Sequence, residues 1–338
     1  MSKKTVVVSG IRATGRLHLG NYLGVLERFA TMSRDPTKTC FFFIADMHTM
    51  TTQDEATLIR KHAPDIILDM LAAGVDPDTA TIYVQSQAPV VAELAWYLAC
   101  LTSYGDMTRM PTFKDKAAKH PENVNAGLFL YPVLMAADIL GPHANLVPVG
   151  EDQRPHLELA RQTARIFNRR YGNYFPIPGD LGDDMLSVPG LVAADASGQF
   201  GKMGKSEKPG KTIFLADPVE EIGRKISRAP TDPARIHRSD PGTPSKCAIF
   251  ALHGLISSEQ EVTWSANGCR TATISCRECK EVLANNVTAR LAAFNERRRD
   301  LVAKKNHVDE LIHEGGRRAR EVFANTAAHV ANAMGVYR

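Results

Sequence analysis

Four short apolar runs, each followed by a helical stretch, constrain this chain more than any other feature. "TVVVS" (5–9), "CFFFIA" (40–45), "TIYVQ" (81–85) and "NLVPV" (145–149) read as strands. Segments such as "EATLIRKHAPDIILDMLAAG" and "HLELARQTARIFNRR" carry helical periodicity between and after them. Alternation of this kind predicts an α/β protein whose doubly wound parallel sheet has helices on both faces and ligands at the carboxyl ends of its strands. After "TIFLADP" the strand signals fade, and the turn-rich "RAPTDPARIHRSDPGTP" leads into helical patterns that run almost to Arg338. At 338 residues the chain exceeds the roughly 250 to 300 at which single cores stop growing. Two domains are expected: 1–215, built on the sheet, and a smaller all-helical 216–338.

Hydrophobic content of 44% and charged content of 23% exclude disorder and fibrous repeats. No apolar run approaches the ~20 residues of a membrane helix, and "MSKKTVVVSG" is too short in its apolar part for a secretory signal. A cytoplasmic protein with no membrane partner is the expectation. The net charge of +4 permits a polyanion but does not demand one. Basic residues gather at Arg224, Lys225 and Arg228, in "ERRRDLVAKK", and at Arg317, Arg318 and Arg320. A solvated helix face accounts for most such runs, and nucleic-acid contact is the sharper reading.

"RLHLGN", residues 16–21, lies where the first strand hands over to a helix, and unpaired N–H groups and the helix dipole there favour phosphate. Gly20 permits close approach to the backbone, while His18 and Asn21, three apart, share one face and can donate to one anion. Capping of the helix start by His18 is the plainer alternative. "GKMGKSEK", residues 201–208, follows a loop rich in Gly, Ser and Ala and presents Lys202, Lys205 and Ser206 between Gly201 and Gly204. Two lysines on a closing loop suit a leaving pyrophosphate, although most loop lysines are merely solvated.

In this order and separation the two segments resemble the paired ATP-binding signatures of class I aminoacyl-tRNA synthetases. With "NYLG", "ADMHTMT", "RMPTFKDK", "YPVLMAADIL" and "VPVGEDQ", the whole chain is similar to the tryptophanyl-tRNA synthetase family, most closely from Val6 to Arg170. The resemblance implies a Rossmann-like catalytic domain followed by a helical anticodon-binding domain, a homodimer, and L-tryptophan, ATP with Mg²⁺ and tRNA(Trp) as partners. It implies that His18, Asn21, Lys202 and Lys205 are catalytic. ATP contacts are implied at Arg12, Ala13, Thr14, Gly20 and Asn21, at Lys116 with Lys114 nearby, and at Gly150, Glu151 and Asp152. Met203, Gly204 and Ser206 complete the nucleotide set beside Lys202 and Lys205. Two departures stand out: Gly204 replaces the family's usual Ser, and Arg12-Ala13 replaces Gln-Pro. A synthetase-like paralogue that binds tryptophan or RNA without catalysis is therefore the rival reading.

Pro132 suits the first turn of a helix, and Tyr131, Met135 and Asp138 then fall on one stripe. A carboxylate on an apolar face is costly unless it finds a donor. The resemblance implies that Asp138 accepts the indole N–H, that Met135 and Tyr131 flank the amino acid, and that Gln153 and His48 belong to the same pocket. Indole is donor-only, so a fixed acceptor separates tryptophan from phenylalanine.

Of six cysteines, Cys40 and Cys100 lie in apolar segments and are expected in the core. Cys247, Cys269, Cys276 and Cys279 form C-x21-C-x6-C-x2-C, which suits tetrahedral Zn²⁺, a 4Fe-4S cluster, or free buried thiols. Some tryptophanyl-tRNA synthetases resemble this chain here and carry such a cluster near the anticodon-reading region, which implies iron-sulfur with a structural role.

Overall fold

The computed structural model describes residues 4–52, 56–110, 124–182, 186–195, 197, 199–204 and 209–337. Three of the expected strands form, β1 (Thr5–Ile11), β2 (Lys38–Ile44) and β3 (Ala80–Val84), side by side in that order. All pair in parallel, with Val7 opposite Cys40 and Phe42 opposite Ile82. Parallel neighbours need crossovers. After β1 a helical turn, Leu19–Asn21, passes through a π-helical Tyr22–Leu26 into α1 (Glu27–Ser33). After β2 come the short helix Asp46–Thr49 and α2 (Ala56–Ala72).

The alternating side chains of β2 divide between two cores. Cys40, Phe42 and Ile44 pack with α1 and α2, whereas Phe41 and Phe43 pack with α3 (Val90–Ala99), α4 (Ala126–Leu140) and α5 (Arg154–Tyr171). A strand buried on both faces must be apolar throughout, which is why "CFFFI" lacks polar alternation.

The fourth expected strand is reduced to a short ladder on the other side of β1. The Val8 N–H donates to the Leu146 carbonyl at 3.1 Å and the Leu146 N–H to the Val6 carbonyl at 3.0 Å, and Leu146 bridges onward to Gly179. Pro148 ends it, because proline has no N–H for a ladder. A second correction concerns Pro132: it sits inside α4, not in the first turn. Asn125 caps the helix upstream, its Oδ1 accepting the Leu128 N–H at 2.9 Å, and the helix tolerates the one N–H that proline withholds.

The C-terminal part is helical: α6 (Val219–Arg228), α7 (Ala248–Ile256), α8 (Glu259–Arg270), α9 (Cys276–Ala303) and α10 (Lys305–Ala333). Helix α9 lies against α2, where Arg298 Nε donates to Asp69 Oδ1 at 2.7 Å and Arg297 Nε to the Ala72 carbonyl at 2.6 Å. Burial pushes the Asp69 carboxyl up to about 6 despite Arg298. Helix α10 covers the β3 edge, which would otherwise be open to pairing with another chain. Arg318 donates to the Pro77 carbonyl and Arg320 to the Gln87 carbonyl. Arg297, Arg298, Arg318 and Arg320 thus fasten the C-terminal helices to α2 and to the segments flanking β3. Among the described residues no helix is long and apolar enough to cross a membrane.

Backbone contact at α10 depends on glycine, since a Cβ at Gly315 would overlap the Ile82 carbonyl oxygen and one at Gly316 would press on the Gln87 amide. Gly315→Ala is expected to cost about 1 to 3 kcal/mol and to lower the melting temperature. Gly254→Ala, on an exposed face of α7 with nothing within 4 Å, should be neutral or stabilising by up to ~1 kcal/mol. Thermal unfolding of both variants checks the pair.

Candidate active site

The chain leaves β1 towards β2 and β3 on one side and returns to pair with β1 on the other, so a crevice opens at the carboxyl end of β1. A cavity of about 540 Å³ fills it. Arg12, Thr14 and Asn21 line it after β1, His48 after β2, Tyr131, Met135 and Asp138 from α4, and Gly150, Asp152 and Gln153 from the returning segment. Ten residues singled out in the sequence therefore share one wall-lined space, of a size that suits a small ligand.

Asp138 is the polar centre of its apolar end and is only 1% exposed. Gln85 Nε2 donates to both carboxylate oxygens, at 2.8 and 2.9 Å, and His48 Nε2 stands 2.8 Å from Oδ2. Burial raises the Asp138 pKa, opposed by the hydrogen bonds from His48 and Gln85. The stripe of Tyr131, Met135 and Asp138 faces the cavity as its spacing requires. Gln85, which follows β3 and is itself 1% exposed, was not picked out in the sequence; its signal was a lone amide closing an apolar strand.

A second chain of hydrogen bonds fixes Tyr131. Asp152 Oδ2 accepts from Gln153 Nε2 at 2.8 Å, which settles the amide orientation, because a carboxylate cannot donate. Gln153 Oε1 then lies 3.1 Å from His156 Nδ1, so the imidazole carries its proton there. Its Nε2, 2.9 Å from the Tyr131 hydroxyl, must accept. The Tyr131 proton is directed at His156, and towards the cavity its oxygen acts as an acceptor. His156, fully buried one turn into α5, is the other residue missed in the sequence.

The first motif behaves as a reciprocal cap. His18 Nδ1 accepts the Asn21 N–H at 3.3 Å and Asn21 Oδ1 accepts the His18 N–H at 3.1 Å. His18 thus caps the helix start through Nδ1, and the imidazole keeps its proton on Nε2, the nitrogen that the phosphate role expected of it would use. Gly20 is glycine because the His18 ring folds over it, 3.0 Å from where a Cβ would stand. The capped turn is joined to the strip after the lysine segment: the Leu19 N–H donates to the Ile213 carbonyl at 2.9 Å and the Leu215 N–H to the Leu17 carbonyl at 3.0 Å. Met203 is buried and pairs with Val188, Lys202 is exposed, and the Gly204 carbonyl accepts from the Thr212 hydroxyl at 3.0 Å. The two motifs are therefore neighbours. Arg12 donates to the Thr52 hydroxyl at 2.5 Å, and burial lowers its pKa. Ala13 is fully buried, with its N–H given to the Thr49 hydroxyl, and Glu151 is exposed beside the cavity wall. Lys114, Lys116, Lys205 and Ser206 lie outside the described residues.

Cys247 sits at the start of α7, Cys269 near the end of α8, and Cys276 and Cys279 in the first turn of α9. Burial pushes the Cys279 thiol up to about 12, with Cys247, Cys269 and Cys276 close enough to add to the shift. His253 Nε2 lies 3.4 Å from Cys279 Sγ. Among the described residues no group of three or more His, Cys, Asp or Glu is set to hold a metal ion, so the metal assignment of these four cysteines lacks a formed ligand set. Cys40 is buried as expected, but Cys100 is exposed just beyond the end of α3.

The family model for tRNA synthetases class I (W and Y) matches residues 1–292. A tryptophan–tRNA ligase of Porphyromonas gingivalis is 40% identical over 338 residues, covering 97% of this chain and 98% of its own length. That of Thermotoga maritima is 39% identical over 332 residues with the same coverage. The crystal structure of tryptophanyl-tRNA synthetase from Campylobacter jejuni, complexed with ADP and tryptophan, matches with a TM-score of 0.85 at 28% identity, covering 98% of this chain and 100% of that one. Sequence, fold and the crevice beside the two motifs agree: the chain belongs to the class I tryptophanyl-tRNA synthetase family.

Proposed function

We propose that the chain activates L-tryptophan with ATP and transfers it to tRNA(Trp). The observation that carries this reading is Asp138, a buried acceptor held by Gln85 and His48 at the apolar end of the cavity. Indole has one N–H and no acceptor, and a site whose acceptor must be satisfied rejects a ring that lacks the donor. The Tyr131 oxygen, held as an acceptor by His156, suits the α-ammonium group. Gln153 carries a second amide N–H suited to the carboxylate.

ATP is assigned to the opposite side, at Arg12, Thr14, Asn21 and Gly150, with Asp152 towards the ribose and Lys202 and Lys205 towards the phosphates. The tryptophan carboxylate oxygen attacks the α-phosphorus in line, the bond from that phosphorus to the bridging oxygen breaks, and pyrophosphate leaves with the electron pair. No side-chain nucleophile is required, so the protein contributes alignment and charge stabilisation. Mg²⁺ is expected with the nucleotide and offsets part of its charge.

In the second step a ribose hydroxyl at the tRNA end takes the tryptophanyl group from the adenylate, and AMP departs. The helices beyond residue 216 are assigned to the anticodon and the cytoplasm as the place of action. A homodimer is proposed on Trp96, Tyr104 and Leu130, large apolar side chains exposed on α3, on the helix Tyr104–Thr108 and on α4, which pack together. For the four cysteines, a four-iron cluster is wider than one ion and needs its thiolates farther apart. The family resemblance at these four positions is the ground on which iron-sulfur, with a structural role, is kept over zinc.

Tryptophan-dependent ATP–pyrophosphate exchange tests the reading. Exchange with tyrosine instead would reassign the substrate, and none with any amino acid would leave a non-catalytic binding protein. Asp138→Ala is expected to lower kcat/KM for tryptophan by ~2 to 5 kcal/mol while the KM for ATP holds; an unchanged kcat/KM would remove Asp138 from the indole site. His156→Phe should raise the KM for tryptophan roughly tenfold, a loss of about 1.4 kcal/mol, with little change in the KM for ATP. Anaerobically purified protein should be brown and contain iron and acid-labile sulfide, whereas zinc in their place would overturn the cluster.

A further inference from the structure

Lys225, grouped by sequence with a basic patch, is one of the most buried charges of the molecule at 5% exposure. From α6 its Nζ donates to Asp217 Oδ2 at 2.6 Å and to the Thr212 carbonyl at 2.8 Å. Asp217, 7% exposed, also accepts the Phe214 N–H at 2.9 Å and Arg16 at 3.3 Å. Both cations lie over the Phe214 ring, Arg16 Cζ at 4.7 Å and Lys225 Nζ at 4.8 Å from its centroid.

Burying an ammonium and a carboxylate is expensive, and a well-packed apolar pair would hold a core at least as well. What such a pair supplies instead is direction: each bond fixes a particular oxygen in place. The atoms fixed here lie between the two motifs. Arg16 opens the first, Phe214 bridges to His18, and Ile213 accepts from Leu19. Thr212, whose carbonyl Lys225 holds, gives its hydroxyl to the carbonyl of Gly204, two residues after Lys202.

We infer that Lys225 is a positioning residue for the nucleotide: through the 212–217 strip it sets where Lys202–Gly204 stand relative to the His18 turn. The inference rests on the proposed role of the lysine segment at the ATP phosphates. It also makes α6, the first of the C-terminal helices, a mechanical partner of the ATP end of the site.

Three single variants and one double variant, assayed by pyrophosphate exchange, test it. Thr212→Val keeps the shape and removes only the bond to Gly204; Lys225→Met removes the grip on Thr212 and Asp217. Each is expected to raise the KM for ATP or lower kcat by roughly tenfold to a hundredfold. Tryptophan affinity by equilibrium dialysis should stay unchanged, and the double variant should be no worse than Lys225→Met alone, because both act through one strip. Wild-type ATP kinetics in Thr212→Val, additive losses, or tryptophan affinity falling in step would overturn the inference. Should Lys225→Met fail to fold, Thr212→Val decides alone. Lys202→Ala separates the two levels: if it leaves exchange intact, the lysine segment is not the phosphate site. If it abolishes exchange while Thr212→Val and Lys225→Met behave as wild type, only the role of Lys225 falls.

Discussion

The pairing of β1 on both of its edges is the constraint on which the rest of this structure depends. On one side it carries β2 and then β3, and on the other the returning segment at Leu146. Because the crossovers diverge from β1, the helices they bring cannot close over its carboxyl end, and the cavity is the space they leave. Four different connections deliver the lining groups there: Arg12 comes with the first, His48 with the second, Asp138 with α4 and Gln153 with the returning segment.

Two buried charges, one in the wall of that space and one in the strip that joins the two motifs, are compensated by directed donors and acceptors. Asp138 receives three hydrogen bonds from two neighbours, so it enters the apolar end as a satisfied group. Lys225 does the reverse, distributing its donors to the Asp217 carboxylate and the Thr212 carbonyl in the strip that joins the two motifs. In each case the cost of desolvation is offset by bonds that also fix geometry, and geometry is what an adenylation site without a side-chain nucleophile has to supply.

The parallel sheet was legible because strands buried on both faces must be apolar, and "CFFFIA" and "TIYVQ" announce themselves. The fourth strand was overstated because apolar composition says nothing about Pro148 withholding its N–H from the ladder. Helical spacing correctly placed Tyr131, Met135 and Asp138 on one stripe, but Pro132 misdirected the helix start, since a buried helix with a good Asn cap absorbs one missing bond. Gln85 and His156 escaped notice because a single polar residue in an apolar run has no sequence signature of the partner that satisfies it. Lys225 looked like surface for the same reason: among Arg224, Lys225 and Arg228 the pattern shows charge, not which side chain turns inward.

Taken by itself, the sequence determined the alternation of strands and helices, the shared stripe of Tyr131, Met135 and Asp138, and the two motifs whose residue types suit a polyphosphate. These are local properties, set by periodicity and by turn chemistry within a few residues. Only the tertiary structure decided which polar groups meet: Gln85 with Asp138, His156 with Tyr131, Lys225 with Thr212. It also decided that four cysteines gather in one patch without forming an ion's ligand set. Such contacts join elements far apart along the chain, and their free energies come from mutual desolvation and alignment, which exist only once the elements have packed.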